Sequence, residues 1–525
     1  MYKSLLKFRF KQTFYLCLTT LFLMSLFGNQ IAEAKPHPKA IEFAEDLPWL
    51  NVSRPLTFKD LKGKVVILDF WTYGCINCIH VLEDFRKLEK KYGDRIAIIG
   101  IHTPKFDNEK NIETLRRIVV RYGIEHPVIN DIDSIMARQY GMRAWPTQFL
   151  IDPQGKILGR VVGEGNYELF VENIDKLLKQ QAANLSDHKL PIMLVKKSFA
   201  KSMLAAPGKI AVSPDNKMVA ISDTLHHRII LTNKKGKIIK YIGGKQSGYR
   251  NGSSKQARFL TPQGLVFTDK GLYVADTGNH TIRYIDLKTG NVKTVAGNGK
   301  NEIHIGKNYK ATSIGLRSPW ALALKDKQLY IAMAGIHQIW KFDIEKNKIG
   351  RWAGSGDESI DDGSLNQSSF SQPSGLSLIE NKLFVADSED SAVRVIDLKK
   401  KQVKTLVGSG LFDFGDKDGK FSKARLQHVL GVASKDPKRV YIADTYNHKL
   451  KLLDLKTKKI ITVAGTGKPG KGAGKGAEKA TKSALNEPGG IVFLDDKILI
   501  ADTNNNRIMQ YDPVRKELSE WKVYK

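Results

Sequence analysis

The amino-acid sequence predicts a multidomain protein in which an α/β domain is followed by an all-β, six-bladed propeller. The chain of 525 residues is too long for one ordinary domain. From about residue 48 to about residue 183, strand-like and helix-like segments alternate, which is typical of an α/β layer with some parallel strands. From about residue 206 onward, short strands and turns rich in Gly, Asn and Asp repeat six times.

The α/β segment contains four predicted strands and four predicted helices, assigned from its apolar runs and their spacing. The predicted strands are Val65–Trp71, Ile96–Ile101, Thr147–Ile151 and Lys156–Val162. The predicted helices are Cys78–Tyr92, Asn108–Tyr122, Ser134–Tyr140 and Tyr167–Ala183. We place this domain at residues 35–185 and a linker at residues 186–205.

The second half of the chain contains six copies of one pattern, an Ala-Asp-Thr core between two short strands. The Asp of this core stands at Asp223, Asp276, Asp387, Asp444 and Asp502, and Met333 replaces it in the third copy, so that successive copies are 53 to 58 residues apart. A unit of this length cannot bury both of its faces alone, so the six units are expected to close into a ring. The repeat therefore predicts a six-bladed β-propeller at residues 206–525.

Cys75 and Cys78 lie where the first predicted strand passes into the first predicted helix. At such a junction, unpaired helix N–H groups and the positive end of the helix dipole favour a thiolate. A disulfide that closes a four-residue ring adds little entropic stabilisation, so the spacing indicates a redox pair rather than a structural disulfide. A zinc site would need about two further Cys or His ligands, and His80 and His102 are the nearest histidines.

The first 34 residues are typical of a secretion signal. Four basic residues precede an apolar stretch from Phe14 to Phe27, and Ala32–Ala34 supplies a small-x-small cleavage pattern. We therefore predict cleavage after Ala34 and an exported, periplasmic or extracytoplasmic protein. The alternative is an uncleaved membrane anchor at the N-terminus, since about 17 apolar residues can just span a bilayer. Cleavage would remove Cys17 and leave one cysteine pair.

The formal net charge is +30, and removal of residues 1–34 leaves +27 because four basic residues and one acidic residue are lost. A protein this basic is attracted to anionic surfaces. Export argues against nucleic acid as a partner and favours an anionic envelope surface, such as phospholipid, lipopolysaccharide or cell-wall polymer. The simpler interpretation, which we prefer, is solubilising charge, since many lysines lie in turns such as Asn233–Lys237.

The two halves resemble two known families. The repeats resemble those of the NHL family, with Asn279-His280 and Asn447-His448 at the position of its name-giving Asn-His pair. Asp69–Trp71 followed by Cys75–Cys78 is similar to the active-site strand and helix of the thioredoxin superfamily, closest to its exported TlpA-like branch, and Tyr140–Thr147 is similar to the loop that carries its cis-proline. The whole architecture resembles the NHL-repeat-containing thioredoxin-like proteins.

This resemblance implies a thiol–disulfide oxidoreductase that uses no cofactor and no metal. Cys75 would be the nucleophile, and Cys78 would resolve the mixed disulfide. Asp69 would be a buried acid with a raised pKa that exchanges a proton with Cys78. The alternative for Asp69 is a strand-end carboxylate satisfied by backbone N–H groups.

The resemblance also implies a substrate-binding surface beside Cys75. Trp71, Trp145 and Pro146 would form it, although Trp71 is equally compatible with ordinary core. X–Pro bonds are cis in only about 5–6% of cases, so the cis geometry of Pro146 is expected from the resemblance and not from the residue itself.

Three functions are consistent with the sequence. The first is an exported oxidoreductase that acts on a disulfide- or thiol-bearing protein and exchanges electrons with a redox partner protein, with the propeller as a docking module. The second is a propeller scaffold whose thioredoxin-like domain has no essential redox role. The third is a propeller hydrolase or lyase with a metal in its channel. Against the third, the repeated Asp and Asn-His residues are expected to cap turns, and the acidic loops at 357–362 and 413–418 do not follow an EF-hand pattern.

Overall fold

A computed structural model describes residues 37–195, 202–244, 246–472 and 476–525. The predicted signal segment, with Cys17 and the cleavage position, lies outside the described residues. Within the described ranges, no helix is long and apolar enough to cross a lipid bilayer. The chain forms a thioredoxin-like α/β domain followed by a six-bladed β-propeller, as predicted.

The α/β domain is built on one mixed sheet. Its described strands are β1 (Trp49–Leu50), β2 (Val65–Trp71), β3 (Ile96–His102), β4 (Val128–Asn130), β5 (Thr147–Ile151) and β6 (Ile157–Val162). Its helices are α1 (Ile76–Tyr92), α2 (Ile112–Tyr122), α3 (Ile135–Gln139) and α4 (Tyr167–Gln180), with 3₁₀ turns at Gly93–Arg95, Asp107–Lys110 and Ala182–Asn184. The strand order is β1-β4-β3-β2-β5-β6, and β3 runs parallel to both β2 and β4.

The predicted strands and helices are present, and the differences have local causes. Helix α1 begins at Ile76, so Cys75 is its N-cap and not a residue of the preceding loop. The predicted helix Asn108–Tyr122 is divided at Asn111, whose side chain accepts the N–H groups of Glu113 and Thr114 and thereby starts α2. Strands β1 and β4 have two and three residues, too few to show a periodicity in the sequence.

Strand β2 lies in the middle of the sheet, and all seven of its residues are buried. Alternate side chains of a strand point to opposite faces. Val65, Ile67 and Trp71 accordingly belong to the core under α1, α2 and α4, whereas Leu68 and Phe70 belong to the core on the α3 side. Asp69 shares the parity of Ile67 and Trp71, which places it on the α1 side, below the cysteine pair.

Each propeller blade is an antiparallel sheet with four main strands. The strands are Pro207–Val212, Met218–Asp223, Arg228–Asn233 and Ile238–Gly243 in blade 1; Leu265–Phe267, Gly271–Asp276, Thr281–Asp286 and Val292–Ala296 in blade 2; Pro319–Lys325, Gln328–Met333, Gln338–Asp343 and Lys348–Ala353 in blade 3; Pro373–Ile379, Lys382–Asp387, Ala392–Asp397 and Gln402–Val407 in blade 4; Gly431–Asp436, Arg439–Asp444, Lys449–Asp454 and Lys459–Ala464 in blade 5; and Pro488–Leu494, Lys497–Asp502, Arg507–Asp512 and Glu517–Glu520 in blade 6. Two-residue outer strands at Tyr309–Lys310, Gly363–Ser364, Gly419–Lys420 and Glu478–Lys479 extend blades 3 to 6. Short 3₁₀ turns are formed by Thr224–His226, Thr277–Asn279, Ala334–Ile336, Thr445–Asn447, Ala480–Lys482 and Thr503–Asn505.

The repeated Asp-Thr-x-Asn-His residues join each blade to the next. In blade 2, Asp276 Oδ1 accepts the backbone N–H of Leu260 at 2.8 Å. Thr277 Oγ1 donates to the carbonyl of Pro319 in blade 3 at 2.6 Å, and His280 Nδ1 accepts the N–H of Ser318 at 3.2 Å. The repeat residues therefore have the structural role expected of them, and they also connect neighbouring blades, which the sequence did not indicate.

The ring closes through the same kind of contact between blade 6 and blade 1. Thr503 Oγ1 donates to the carbonyl of Pro207 at 2.9 Å. The C-terminal segment adds two backbone hydrogen bonds, from Ile238 N to Tyr524 O at 2.7 Å and from Tyr524 N to Gly236 O at 3.0 Å. The four main strands of each blade come from one continuous segment of the chain, so blades 6 and 1 are joined by contacts between sheets. These hydrogen bonds and an apolar core shared by blades 1 and 6 hold the ring closed.

The acidic loops of the propeller are paired with cations of the protein. Asp362 lies 3.1 Å from Arg394, and Asp416 and Asp418 lie 2.8 and 3.1 Å from the buried ammonium of Lys451. Among the described residues, no group of three His, Cys, Asp or Glu side chains is arranged to hold a metal ion. These carboxylates stabilise buried cations on the third strands of blades 4 and 5.

The buried ion pair between Asp276 and Arg283 gives a test of the blade architecture. Both side chains are fully buried and lie 2.6 Å apart. Arg283→Met would leave the carboxylate without its counter-ion, so we expect the free energy of unfolding to fall by about 3–5 kcal/mol in urea denaturation. Arg54→Met is the matched control, because Arg54 pairs with Asp60 at the same distance of 2.6 Å but the two side chains are 55% and 20% exposed. An equal loss in both variants would contradict the importance of burial.

Candidate redox site

Cys75 and Cys78 stand at the first turn of α1 as free thiols. Cys75 is the N-cap residue and is half-buried, whereas Cys78 is fully buried in the core. Burial, followed by the contact with Cys75, raises the pKa of the Cys78 thiol well above its ordinary value. Cys75 is thus the accessible sulfur, and Cys78 lies behind it as a protonated thiol.

Asp69 lies on the same side of the sheet as Cys78 and is completely buried. Burial raises its pKa to about 7, although a hydrogen bond from Gln148 Nε2 to Asp69 Oδ1 at 3.0 Å acts in the opposite direction. Its other oxygen has no hydrogen-bond partner within the described part of the chain, and no backbone N–H there donates to the carboxyl group. The interpretation as a strand-end carboxylate satisfied by the backbone is therefore wrong.

The predicted substrate-binding residues divide into two groups. The peptide bond between Trp145 and Pro146 is cis, as the resemblance implied, and Trp145 packs with Cys75 against the same core cluster. The indole N–H of Trp145 donates to the carbonyl of Thr103 at 3.0 Å. Trp71 is only 1% exposed and lies edge-on to the ring of His102. Trp71 is therefore core beneath the site and cannot contact a substrate directly, which corrects its assignment as a binding residue.

Glu109 is a site residue that the sequence analysis missed. Its buried carboxylate accepts from Thr72 Oγ1 at 2.6 Å, from the N–H of Gly74 at 3.0 Å and from the N–H of Lys105 at 2.7 Å. It thereby ties the loop that precedes Cys75 to the loop that follows β3. A glutamate in a helix-like segment is normally exposed, so the sequence carried no signal for this role.

The propeller also contributes to the site, through Gln372 at the start of blade 4. Its side-chain carbonyl accepts the N–H of Ile76 at 2.7 Å, and its amide donates to the carbonyl of Gly74 at 2.8 Å. These two bonds, which we call the Gln372 bracket, lie on either side of Cys75 along the chain. One of them satisfies an N–H group in the first turn of α1 that has no partner within the helix. Gln372 is held in this position by its own N–H, which donates to His337 Nδ1 at 3.1 Å and is the blade 3–blade 4 equivalent of the contact between Ser318 and His280.

A buried ion pair joins the two domains next to this bracket. Lys105 Nζ lies 2.5 Å from Glu389 of blade 4, and both side chains are at most 5% exposed. Burial alone would raise the pKa of Glu389, but the Lys105 ammonium and the neighbouring His428 together outweigh it and hold that pKa at about 2. The ring of His428 lies 3.3 Å from the second oxygen of Glu389, at ion-pair distance.

Further contacts between the two domains lie around this ion pair. His80 lies 2.6 Å from Glu164 in its own domain and 2.7 Å from Ser318 Oγ of the propeller. Asn108 donates to Glu487 at 2.8 Å. The ring of Tyr446 packs against aromatic rings of the thioredoxin-like domain at 5.5–5.7 Å. The whole redox face is docked on one face of the propeller.

The docked propeller face is formed by two positions of the repeat. The first is the variable residue x of the turn: Leu225, Gly278, Gly335, Glu389, Tyr446 and Asn504. The second is a residue with φ of 45–61° that precedes the innermost strand: Ala206, Thr261, Ser318, Gln372, His428 and Glu487. These residues either contact the thioredoxin-like domain or line a cavity beneath it. At Gly335 a Cβ atom would lie 2.7 Å from His80, so this glycine permits the close approach.

Comparison with known proteins relates both domains to a family. The AhpC/TSA family model matches residues 39–160. NHL repeat-containing protein 2 of Gallus gallus is 42% identical over 516 residues, which cover 91% of this chain and 70% of that protein. The chain belongs to the NHL repeat-containing protein 2 family.

Two other relatives extend the comparison. The protein SUPPRESSOR OF QUENCHING 1, chloroplastic, of Arabidopsis thaliana is 41% identical over 523 residues, which cover 95% of this chain and 48% of that protein. The thiol-disulfide oxidoreductase ResA of Bacillus thuringiensis is 31% identical over 115 residues, which cover 22% of this chain and 64% of that protein. The resemblance of the chain to thioredoxin-like proteins with NHL repeats is confirmed.

Removal of the Gln372 bracket is expected to loosen the redox loop. Gln372→Leu leaves the Gly74 carbonyl and the Ile76 N–H without partners, and each unpaired group costs about 1–3 kcal/mol. We expect faster amide hydrogen exchange confined to residues around 74–80. Gln372→Glu is the matched variant, because it keeps the acceptor for Ile76 N and loses only the donor, so it should give an intermediate effect. Unchanged exchange in the leucine variant would contradict the proposed contact.

The raised pKa of Asp69 predicts a pH-dependent stability difference. A carboxyl group with a folded pKa of about 7 and an unfolded pKa of about 3.9 gives stability that is present below pH 4 and lost progressively up to pH 7. Asp69→Asn removes this loss, so the variant should gain roughly 2 kcal/mol relative to the wild type between pH 5 and pH 8 in urea unfolding. The exposed Asp133→Asn should show no such gain. A pH-independent difference for Asp69→Asn would contradict the assignment.

Proposed function

We propose that the protein is an exported thiol–disulfide oxidoreductase in which Cys75 is the nucleophile and Cys78 the resolving cysteine. The observation that carries this proposal is the pairing of a half-exposed Cys75 at a helix N-terminus with a buried Cys78 above the buried Asp69. Homology to a protein named as a thiol-disulfide oxidoreductase supports the same chemistry. Export is proposed on the N-terminal sequence alone.

The reductive half-reaction follows from the positions of these groups. The Cys75 thiolate attacks one sulfur of a substrate disulfide, and the other sulfur leaves as a thiolate that takes up a proton. Asp69, ionised above pH 7, accepts the proton of Cys78, whose thiolate then attacks the Cys75 sulfur of the mixed disulfide. The second substrate sulfur leaves, so the substrate gains two electrons and the Cys75–Cys78 disulfide forms. A redox partner protein with a dithiol returns the pair to the reduced state.

The docked arrangement restricts how a protein substrate approaches. Gln372 and Glu389 cover the propeller side of the redox loop, so a substrate would approach Cys75 from the side of the half-buried Trp145. Phe412 of the propeller lies at the rim of the docked face: it is 72% exposed, and its ring centre is 5.5 Å from the Lys105 ammonium. We propose that the propeller acts as a docking module at this rim, with Phe412 as an apolar contact for the substrate.

The proposed chemistry is tested by the two cysteines separately. Cys75→Ser should abolish reduction of insulin disulfides, whereas Cys78→Ser should trap a mixed disulfide with the substrate, visible as a mass increase that a reductant removes. The double Ser variant is the control and should trap nothing. Insulin reduction that persists in Cys75→Ser would overturn the redox proposal. A cellular phenotype that survives the double variant would instead support the scaffold function.

A further inference from the structure

A cavity of about 460 Å³ lies between the two domains, beside the redox loop but not including either cysteine in its wall. The thioredoxin-like side is formed by α1, from Ile76 to Arg86, and by the end of α2. The propeller side is formed by blades 1 and 2 and by the residues around the propeller axis. The volume falls within the range of about 300–1,000 Å³ that is usual for small-molecule sites.

The floor of this cavity carries a lysine where the repeat otherwise has a very small residue. The corresponding positions of the other five blades are Gly264, Ala321, Gly375, Gly431 and Gly490, which line a narrow axial channel with a void of about 50 Å³. Blade 1 has Lys209 instead, and its side chain is only 9% exposed. A Cβ atom on Gly490 would lie 2.9 Å from Lys209 Cα, so the small residues make room for the lysine.

Lys209 has no carboxylate partner among the described residues. Its ammonium donates to the carbonyls of Leu430 and of Gly489, the second at 2.8 Å, and an ammonium has three protons to donate. The two carbonyl bonds explain how the side chain is held across the channel. They do not neutralise its charge, and burial lowers the pKa of Lys209 to about 7.

Two arginines add positive charge to the opposite wall. Arg86 donates to the carbonyl of Tyr122 and Arg121 donates to the side-chain carbonyl of Asn504, each at 2.5 Å, and neither has an ion-pair partner in the described ranges. The acidic residue of the wall, Glu83, is already paired with Lys87 at 3.1 Å. Three basic side chains therefore line one cavity without a compensating carboxylate of their own.

We propose that this cavity binds a small organic anion with an apolar body. Lys209, Arg86 and Arg121 would contact the anionic group, since cations without counter-ions around a partly desolvated space favour a negative ligand. Ile76, Ile79, Leu225, Leu260 and Trp320 would contact the apolar body. Because both domains form the wall, a bound anion stabilises the docked arrangement.

A matched pair of fluorescent probes tests the proposal. 1-Anilinonaphthalene-8-sulfonate is an anion on an apolar aromatic body, and N-phenyl-1-naphthylamine is the same body without the charge. In fluorescence titrations we expect the sulfonate to bind about tenfold or more tightly than the neutral probe, with an affinity that falls as salt is added. Because no cysteine lines the cavity, the Cys75→Ser protein should bind equally, which separates this test from that of the redox proposal.

Charge-removing variants identify the site of binding. Lys209→Met and Arg86→Met should each weaken the sulfonate about tenfold and leave the neutral probe unchanged. Arg86→Met changes an exposed residue and so keeps the test valid where the buried variant fails to fold. Lys417→Met, at an exposed lysine outside the cavity wall, is the charge-matched control. Equal affinity for the two probes, or an equal loss in Lys417→Met and Arg86→Met, would overturn the proposal.

Discussion

The buried ion pair between Lys105 and Glu389 fixes the position of the thioredoxin-like domain on the propeller. A buried pair is weak support for stability as such, because the cost of removing two charges from water nearly cancels their attraction. A buried charge without its partner costs about 3–5 kcal/mol, however, so any other docking register that buries one of these groups is disfavoured. In this register Gln372 meets the loop around Cys75 and the cavity above Lys209 closes.

The repeat uses different residues to hold the blades together and to form the docked face. Its Asp, Thr and His residues hold the blades together, while the residues between them are free to vary and form the docked face. The two copies that depart most from the pattern are the third and the fourth, and both lie against the redox domain. In the fourth copy, Asp390 replaces the repeat Asn and places a second carboxyl group near Asp387. Burial, together with this second carboxyl group, raises the pKa of Asp387 to about 8.

Local sequence patterns predicted the fold and the central chemistry because these depend on neighbouring residues. The apolar runs located β2 and α1, the interval between repeats counted the blades, and Cys75 and Cys78 indicated the redox pair. The cis geometry of Pro146 followed only from a resemblance. The roles of Gln372 and Glu109 could not be predicted, because their partners lie about 300 and about 35 residues away and no periodicity links them. Trp71 was ambiguous for a related reason, since a large aromatic residue fits both a core and a binding surface.

The central claim is that the redox face is docked on the propeller and not presented on a separate domain. Small-angle X-ray scattering of the chain from Lys35 onward tests it most directly. A compact body of this length has a radius of gyration of about 23 Å, and we predict a scattering profile that one docked arrangement reproduces. A clearly larger radius, with a profile that requires two separated domains, would contradict the account.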